Sequence, residues 1–552
     1  MTRRRQNLRL FTFVAGLVLC LLALFSRAYY LQVVKAADYK VLAEQQQVRD
    51  VTVTPRRGDI QDRTGAELAI SKRMATVSAN PRLVTDPERA ASGLAAVLGL
   101  KEADVLALLK SDSGFKYIAR KIEPKLGAQV RLLMLKGVDV TAEDKRVYPR
   151  GALAPQLLGY VGTENTGLAG LEKQYDDLLR GSAGSREVVR DGSGRSLQLI
   201  AEEDVQQGST LTLTIDADIQ YETEQVLTDV VKQFSAKRAT AVVLSPETGE
   251  VIAMATAPVF DTNAYGKTNE EIRRNMAITD QYEPGSTFKL VVYSAALEAG
   301  LVTPDTEFTL APTITVWDRT VHEAEDVQAV RHLTVTQMLA QSSNVGAVML
   351  GQKVGSARLV DAIKRFGFTE PLGIDFPGEA SGMMPPLNKW SGSTIANVPM
   401  GQGISVTPLQ MAVAFSIVAN DGVMVKPHFI LDGQVPESHR VLSEKVALQM
   451  RAMLKQAVAS GKSAAAQVKG FTVAGKTGTA QKINDDGIGY SQSKYWASFV
   501  GMVPAENPKL VILVMVDEPQ QEYYGSEVAA PAFARIADFA LKNLGIAPTT
   551  AK

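Results

Sequence analysis

The sequence predicts an α+β protein: an N-terminal transmembrane helix, a mixed α/β pedestal domain, and a C-terminal domain with an antiparallel sheet flanked by helices. Three observations lead there. An arginine cluster precedes a long apolar run at the N-terminus. After residue 207 the pattern runs strands, then a long helical middle, then strands again, so both ends of that stretch belong to one sheet. The length, 552 residues, exceeds what a single compact core organises and points to two or three domains.

The N-terminal element comes first. Arg3, Arg4, Arg5 and Arg9 stand before an apolar run from Leu10 to Phe25, interrupted only by Thr12. That run spans roughly 24 Å as a helix, short of a ~30 Å hydrocarbon core. Ala28, Tyr29, Tyr30, Leu31 and Val34 make up the length, with Arg27 snorkelling and the tyrosines at the interface. We therefore expect a cytoplasmic tail over 1–9 and a single-pass anchor over 10–34 in the cytoplasmic (inner) membrane. Everything after the anchor would be periplasmic or extracellular. A cleaved signal peptide is the alternative, since Ser26-Arg27-Ala28 loosely resembles a small-x-small site. An arginine inside that site and the renewed apolarity after it argue against cleavage. Cys20 is the single cysteine, so no intrachain disulfide is available, and its Leu-Val-Leu context does not suit a lipid anchor.

Composition narrows the function classes. Lys plus Arg and Asp plus Glu are both 59, a formal net charge of zero, so nothing argues for nucleic acid as a partner. His322, His332, His428 and His439 are scattered without metal-ligand spacing, and neither metal nor cofactor is expected.

Residues 35–207 form the pedestal, with a strand at Val51–Thr54 and a helical pattern over Ala90–Leu109. Arg57 to Gly65 is rich in turn residues, and Asp191-Gly192-Ser193-Gly194-Arg195 reads as a hairpin tip. The second domain covers 208–546, and 547–552 is a tail. Its elements are a strand at Leu211–Ile215, a helix over Asp216–Phe234 with an acidic start, and the hairpin Thr240–Leu244 and Val251–Ala255 around Ser245–Glu250. Helices follow at Leu290–Leu297, Val335–Leu339 and Leu409–Ala419. Strands return at Ala497–Val500 and Leu510–Val516, and a last helix covers Ala532–Leu544.

Three short motifs in this order carry the chemistry. In Glu283-Pro284-Gly285-Ser286-Thr287-Phe288-Lys289, the Pro-Gly break places Ser286 at a helix N-terminus, with Lys289 one turn on and on the same face. A serine needs a base to become a nucleophile, and a lysine serves if burial and a nearby cation lower its pKa. Lys476 is the candidate cation. Ser342-Ser343-Asn344 sits on a helix-to-helix turn, where Ser342 could relay a proton and Asn344 could hold a substrate amide. Lys476-Thr477-Gly478-Thr479 reads as an edge strand on which a substrate backbone could pair, with Thr477 available to a carboxylate. The backbone N–H groups of Ser286 and Thr479 would form an oxyanion hole. Taken singly, each motif has a plain alternative: a helix cap for Ser286 and for the Ser342 turn, a bulge for the glycines. Competing spacings at Ser113/Lys116, Ser491/Lys494 and Ser78/Asn80 lack the order or the Pro-Gly context.

With these motifs the chain resembles the class B penicillin-binding proteins, the monofunctional peptidoglycan D,D-transpeptidases. The likeness extends to Arg57–Gly65, Gly170-Leu171-Glu172, Gly401-Gln402-Gly403 and Thr407-Pro408-Leu409-Gln410. Within that class, Ala497–Gly501, Tyr523-Tyr524-Gly525, Ala529-Ala530-Pro531 and an end soon after the last helix fit the septal, FtsI-like branch. The resemblance implies that Ser286 is acylated by a stem peptide with release of terminal D-Ala, and that the amine of a second strand resolves the acyl-enzyme. Catalytic roles then fall to Ser286, Lys289, Ser342 and Lys476, and substrate binding to Asn344, Thr477, Gly478 and Thr479. Implied partners are peptidoglycan stem peptides, β-lactams as covalent inhibitors, a membrane glycosyltransferase and the division machinery. Rival readings are an elongation-specific transpeptidase, a β-lactam hydrolase, a β-lactam sensor and a catalytically silent division scaffold. Met384 stands where class A β-lactamases carry a deacylating glutamate, so a penicillin adduct should persist.

Overall fold

The computed structural model describes residues 2–40, 48–190, 196–202, 204–323, 327–459, 463–484 and 486–549. The chain divides into two compact units, residues 1–56 with 180–208, and residues 57–179 with 209–552.

In the first unit a helix over Thr2–Tyr29 ends in one π-helical turn, Tyr30–Val34. Within Arg4–Val34 an 18-residue stretch has a mean hydropathy of 2.4, and its large side chains, Leu10, Phe11 and Phe25 among them, are exposed. A helix that satisfies its own backbone and presents apolar side chains on every side suits lipid rather than water. The same unit holds a three-stranded antiparallel sheet of Val48–Val53, Gly184–Arg190 and Ser196–Glu202. The expected hairpin tip at Asp191–Arg195 lies outside the described residues.

The second unit begins with a small mixed sheet. Glu67–Ala79 is its longest strand and pairs with Ile60–Gln61, Lys116–Ile122 and Val138–Val147. Beside it a buried ion cluster ties distant segments together. Arg57 Nε and Arg146 Nε donate to the two oxygens of Glu172 at 2.7 and 2.6 Å, and Arg57 also holds Asp176. The helical pattern over Ala90–Leu109 is two helices, Pro87–Leu98 and Glu102–Leu109. Gly99 separates them at φ +67°, a left-handed stop that only glycine takes cheaply.

The remainder is built on one five-stranded sheet. Helix α1 (Ala217–Gln233) is capped by Asp216, whose carboxylate accepts the N–H groups of Asp218 and Ile219. Then come β1 (Arg238–Leu244), β2 (Val251–Ala257), α2 (Lys289–Glu298), α3 (Val335–Ala340), α4 (Asn344–Val354), α5 (Pro408–Ala419), β3 (Ala474–Ile483), β4 (Tyr490–Val503), β5 (Leu510–Asp517) and α6 (Gly525–Asn543). The strand order is β2-β1-β5-β4-β3, antiparallel throughout, with β3 at an edge. Alternate residues serve opposite faces. Val242, Leu513, Met515 and Val500 join the core with α2 and α5, while Val243, Ile512, Val514 and Phe499 join the core with α1 and α6.

Two expectations are corrected. Only Leu211–Thr212 is a strand, and it pairs in parallel with Ile60–Gln61 rather than in the large sheet. The final helix starts at Gly525, seven residues earlier than expected. Pro531 falls inside it, in the second turn, where its missing N–H removes one intrahelical bond.

Candidate active site

Ser286 lies in a 3-10 turn, Gly285–Phe288, that feeds directly into α2. The turn is tight because Gly285 adopts φ +55° and backs onto Gly401 at φ +80°. A Cβ on Gly401 would lie 2.1 Å from the Gly285 carbonyl oxygen, so the two backbones meet only because residue 401 is glycine. Gly285 N–H donates to Gly401 O at 3.2 Å across that contact.

Lys289, the first residue of α2, is fully buried. Its ammonium donates to Ser342 O at 2.6 Å, Asn344 Oδ1 at 2.8 Å and Ser342 Oγ at 3.3 Å. The serine–lysine pair and the Ser-Ser-Asn turn are thus joined through one side chain. The turn has its own cause. Helix α3 stops at Ala340, Ser342 takes φ +56°, and Ser343 caps α4 by accepting the Gly346 N–H at 2.9 Å. A serine in the left-handed region is uncommon, and here that conformation is what turns its carbonyl oxygen onto Lys289. Asn344 is engaged at both ends, because its Nδ2 donates to His322 O at 3.1 Å. Each amide group keeps capacity for one further bond.

The third motif lies on β3. Lys476 is 2 % exposed, and its Nζ donates to Thr477 O at 3.2 Å. Gly478 stands opposite Ser498 of β4. A Cβ there would meet Ser498 Oγ at 2.5 Å and Pro284 O at 2.9 Å, so the missing side chain lets the serine turn press against the edge strand. Thr479 Oγ1 accepts the N–H of Gly525 at 3.1 Å, which ties the strand to the start of α6.

A cavity of about 250 Å³ opens between these elements. It is lined by Ser286, Asn344, Thr479 and Ala480 on one side and by Arg319, His322 and Gln402 on the other. Thr477 and Thr479 are partly exposed along the same strand, while Lys289 lies beneath. The competing spacings go elsewhere: Ser113 bonds Phe115 of its own loop, Ser491 accepts the N–H of Lys494, and Asn80 caps a short 3-10 turn.

Sequence reasoning missed several residues of this site. Glu323, its side chain 4 % exposed, accepts from Ser343 Oγ, Asn344 N and Arg331. In sequence it stands in an acidic stretch that reads as solvated charge, and only the hairpin Thr313–Val316 with Arg319–His322 carries it to the turn. Arg319 arrives on the same hairpin. Glu283 Oε1 accepts the Gly403 N–H at 2.8 Å and the Tyr490 hydroxyl at 3.2 Å. Burial raises the pKa of its carboxyl, and those two donors oppose the shift.

Known proteins resemble this chain in sequence and fold. The family model of the penicillin-binding protein transpeptidase domain matches residues 239–538, and that of the penicillin-binding protein dimerisation domain matches residues 52–213. A probable peptidoglycan D,D-transpeptidase, PbpC, of Pseudomonas aeruginosa is 34% identical over 99% of this chain and 97% of its own length. The peptidoglycan D,D-transpeptidase FtsI of Escherichia coli is 33% identical over 98% of this chain and 92% of its own. The crystal structure of penicillin-binding protein 3 from Mycobacterium tuberculosis, complexed with aztreonam, superposes with a TM-score of 0.70 at 31% identity, covering 91% of this chain and 98% of that one. With the serine–lysine turn, the Ser-Ser-Asn turn and the Lys-Thr-Gly edge strand gathered round one cavity, this chain belongs to the penicillin-binding protein transpeptidase family, in its class B, FtsI-like branch.

Proposed function

We propose that this chain is a serine D,D-transpeptidase that cross-links peptidoglycan stem peptides during septal wall synthesis. The observation that carries the reading is the buried Lys289 ammonium joined to Ser342 and Asn344, one turn from Ser286. Ser286 Oγ attacks the penultimate D-Ala carbonyl, and Lys289, reacting as the neutral amine, takes the hydroxyl proton and becomes the ammonium. The C–N bond to the terminal D-Ala breaks, and its nitrogen receives a proton through Ser342. The amine of a second stem peptide then attacks the ester, forming the cross-link and returning the proton to Ser286. The N–H groups of Ser286 and Thr479 hold the oxyanion, while Lys476 and Thr477 hold the terminal carboxylate. Gly478 lets the donor backbone lie close to the edge strand. β-Lactams acylate the same serine.

The apolar N-terminal helix anchors the chain once in the inner membrane, with the arginine end cytoplasmic and the catalytic unit outside. That position suits a polymerising glycosyltransferase and division proteins as partners. Septal rather than elongation work is supported by the FtsI-type relatives.

Intact mass of the full chain in detergent after benzylpenicillin tests the reading. One stable adduct that is absent from Ser286→Ala is expected. Drug consumed without an adduct would instead make the chain a β-lactam hydrolase.

A further inference from the structure

Arg319 opens the second strand of the hairpin Thr313–Val316/Arg319–His322, opposite Val316. Val316 and Val321 are buried with Val348, Ala396 and Met400. The two-residue period of a strand puts Arg319 on the face of Val321, so the guanidinium is carried inward to the cavity that also holds Ser286, Asn344 and Thr479.

Among the described residues no carboxylate is hydrogen-bonded to it there. Its Nε is buried without a hydrogen-bond partner, and among the described residues its Nη2 makes one long contact, to Gln402 Oε1 at 3.4 Å. Other arginines drawn into this unit behave differently: Arg57, Arg146, Arg238 and Arg331 each hold a carboxylate. Glu283 is the nearby acid: its Oε1 accepts from Gly403 N–H and the Tyr490 hydroxyl, and its Oε2 is buried without a hydrogen bond to the guanidinium. Tyr490 lies within the field of both charges: burial and Glu283 raise its pKa, and Arg319 opposes them. Keeping a half-buried guanidinium with its Nε unbonded costs stability, and its planar fork matches a carboxylate.

We propose that Arg319 is a specificity residue for the acyl donor, binding the free carboxylate carried on the side chain of the stem peptide's third residue when that residue is a diamino diacid. The inference rests on the proposed transpeptidation. The cavity is lined by Thr479 and Ala480 and not by Lys476 or Thr477, so it lies beyond the end assigned to the terminal carboxylate. A donor extended along β3 advances about 3.3 Å per residue. The residue just before the scissile D-Ala therefore falls within this cavity, facing the hairpin.

The test uses the full chain in detergent and synthetic depsipeptide donors ending in D-Ala-D-lactate, reading the rate of Ser286 acylation by mass. One donor carries a free carboxylate on the third side chain, one the amide, one lysine, and one is amidated instead at the second residue's α-carboxyl. The free acid should outpace the third-residue amide and the lysine donor roughly 10- to 100-fold. In Arg319→Gln that preference should vanish, and Arg319→Lys should keep part of it. Uptake of benzylpenicillin by each variant shows that it is folded. Equal rates in the wild type, an undiminished preference in Arg319→Gln, or a preference that follows the second-residue carboxyl would overturn the proposal. If neither donors nor benzylpenicillin acylated the wild type, the proposed function itself would fall.

Discussion

Glu323 Oε2 accepts the backbone N–H of Asn344 at 2.7 Å, so a carboxylate outside all three motifs sets the start of α4. Its other oxygen takes the Ser343 hydroxyl and Arg331, both at 2.6 Å. The Lys289 partners Ser342 and Asn344 are positioned through this anion. Glu323→Gln keeps the shape but exchanges charge-assisted bonds for weaker ones and gives one acceptor site a donor. We expect the second-order rate of benzylpenicillin acylation to fall about tenfold, a loss of ~1.4 kcal/mol. Stopped-flow or quenched mass measurements read it directly. A rate within twofold of wild type would show that the turn holds itself.

Gly478→Ala should separate the serine turn from the edge strand. Ser498 Oγ can rotate away from the new methyl group, but Pro284 O belongs to the backbone and cannot. The expected cost is about 1–3 kcal/mol of stability and roughly 100-fold in acylation rate from the displaced nucleophile. Melting temperature and acylation rate, measured on the same preparation, check both.

The buried Glu172 carries two guanidinium groups, Arg57 and Arg146, and Tyr148 OH donates to it at 3.2 Å. Glu172→Ala leaves both cations buried without their shared anion, and a loss of about 3–5 kcal/mol is expected. Thermal unfolding should show it. Acylation by the folded fraction at low temperature should be unchanged, since Glu172 stands apart from the cavity lining.

Glu224 gives a pH prediction. It is 3 % exposed, and burial pushes its pKa up to about 8, opposed by bonds from Gln220 Nε2 and Ala154 N. Between pH ~4.5 and about 8 the folded protein keeps this proton while the unfolded chain has lost it. Stability therefore falls as pH rises through that window, by at most ~1.4 kcal/mol per unit from this group. Glu224→Gln should flatten that part of the curve and be the more stable protein at pH 8. Denaturant unfolding of both at pH 5 and pH 8 decides it, and parallel curves would refute the assignment.

Much of the catalytic half was legible because its residues report locally. The unbroken apolar run at Leu510–Val516, the Pro284-Gly285 break and the acidic cap at Asp216 each name their own structure, and the strand, the turn and the helix start are where they imply. Glu323 and Arg319 were not legible, because their roles come from a hairpin that folds across the site and their neighbours in sequence say nothing of it. Leu211–Ile215 misled for a related reason: the alternation Leu-Thr-Leu-Thr-Ile fits a strand of either sheet, and only the partner Ile60–Gln61 decides which. Arg57 looked like part of an exposed turn, and its burial depends on Glu172, 115 residues away.

The sheet order β2-β1-β5-β4-β3 has a consequence for biogenesis. Its central strand, β5, is the last of the five to be synthesised, while β1 and β2 emerge more than 250 residues earlier. Until Leu510–Asp517 has appeared, the hairpin of β1 and β2 exposes Arg238–Leu244 as an open, apolar edge, and β3 and β4 have no sheet to join. A chain interrupted anywhere in that interval carries unpaired strands suited to aggregation. The nascent protein therefore carries this open edge through about half of its translation, and the serine–lysine site is completed only as the final segment docks.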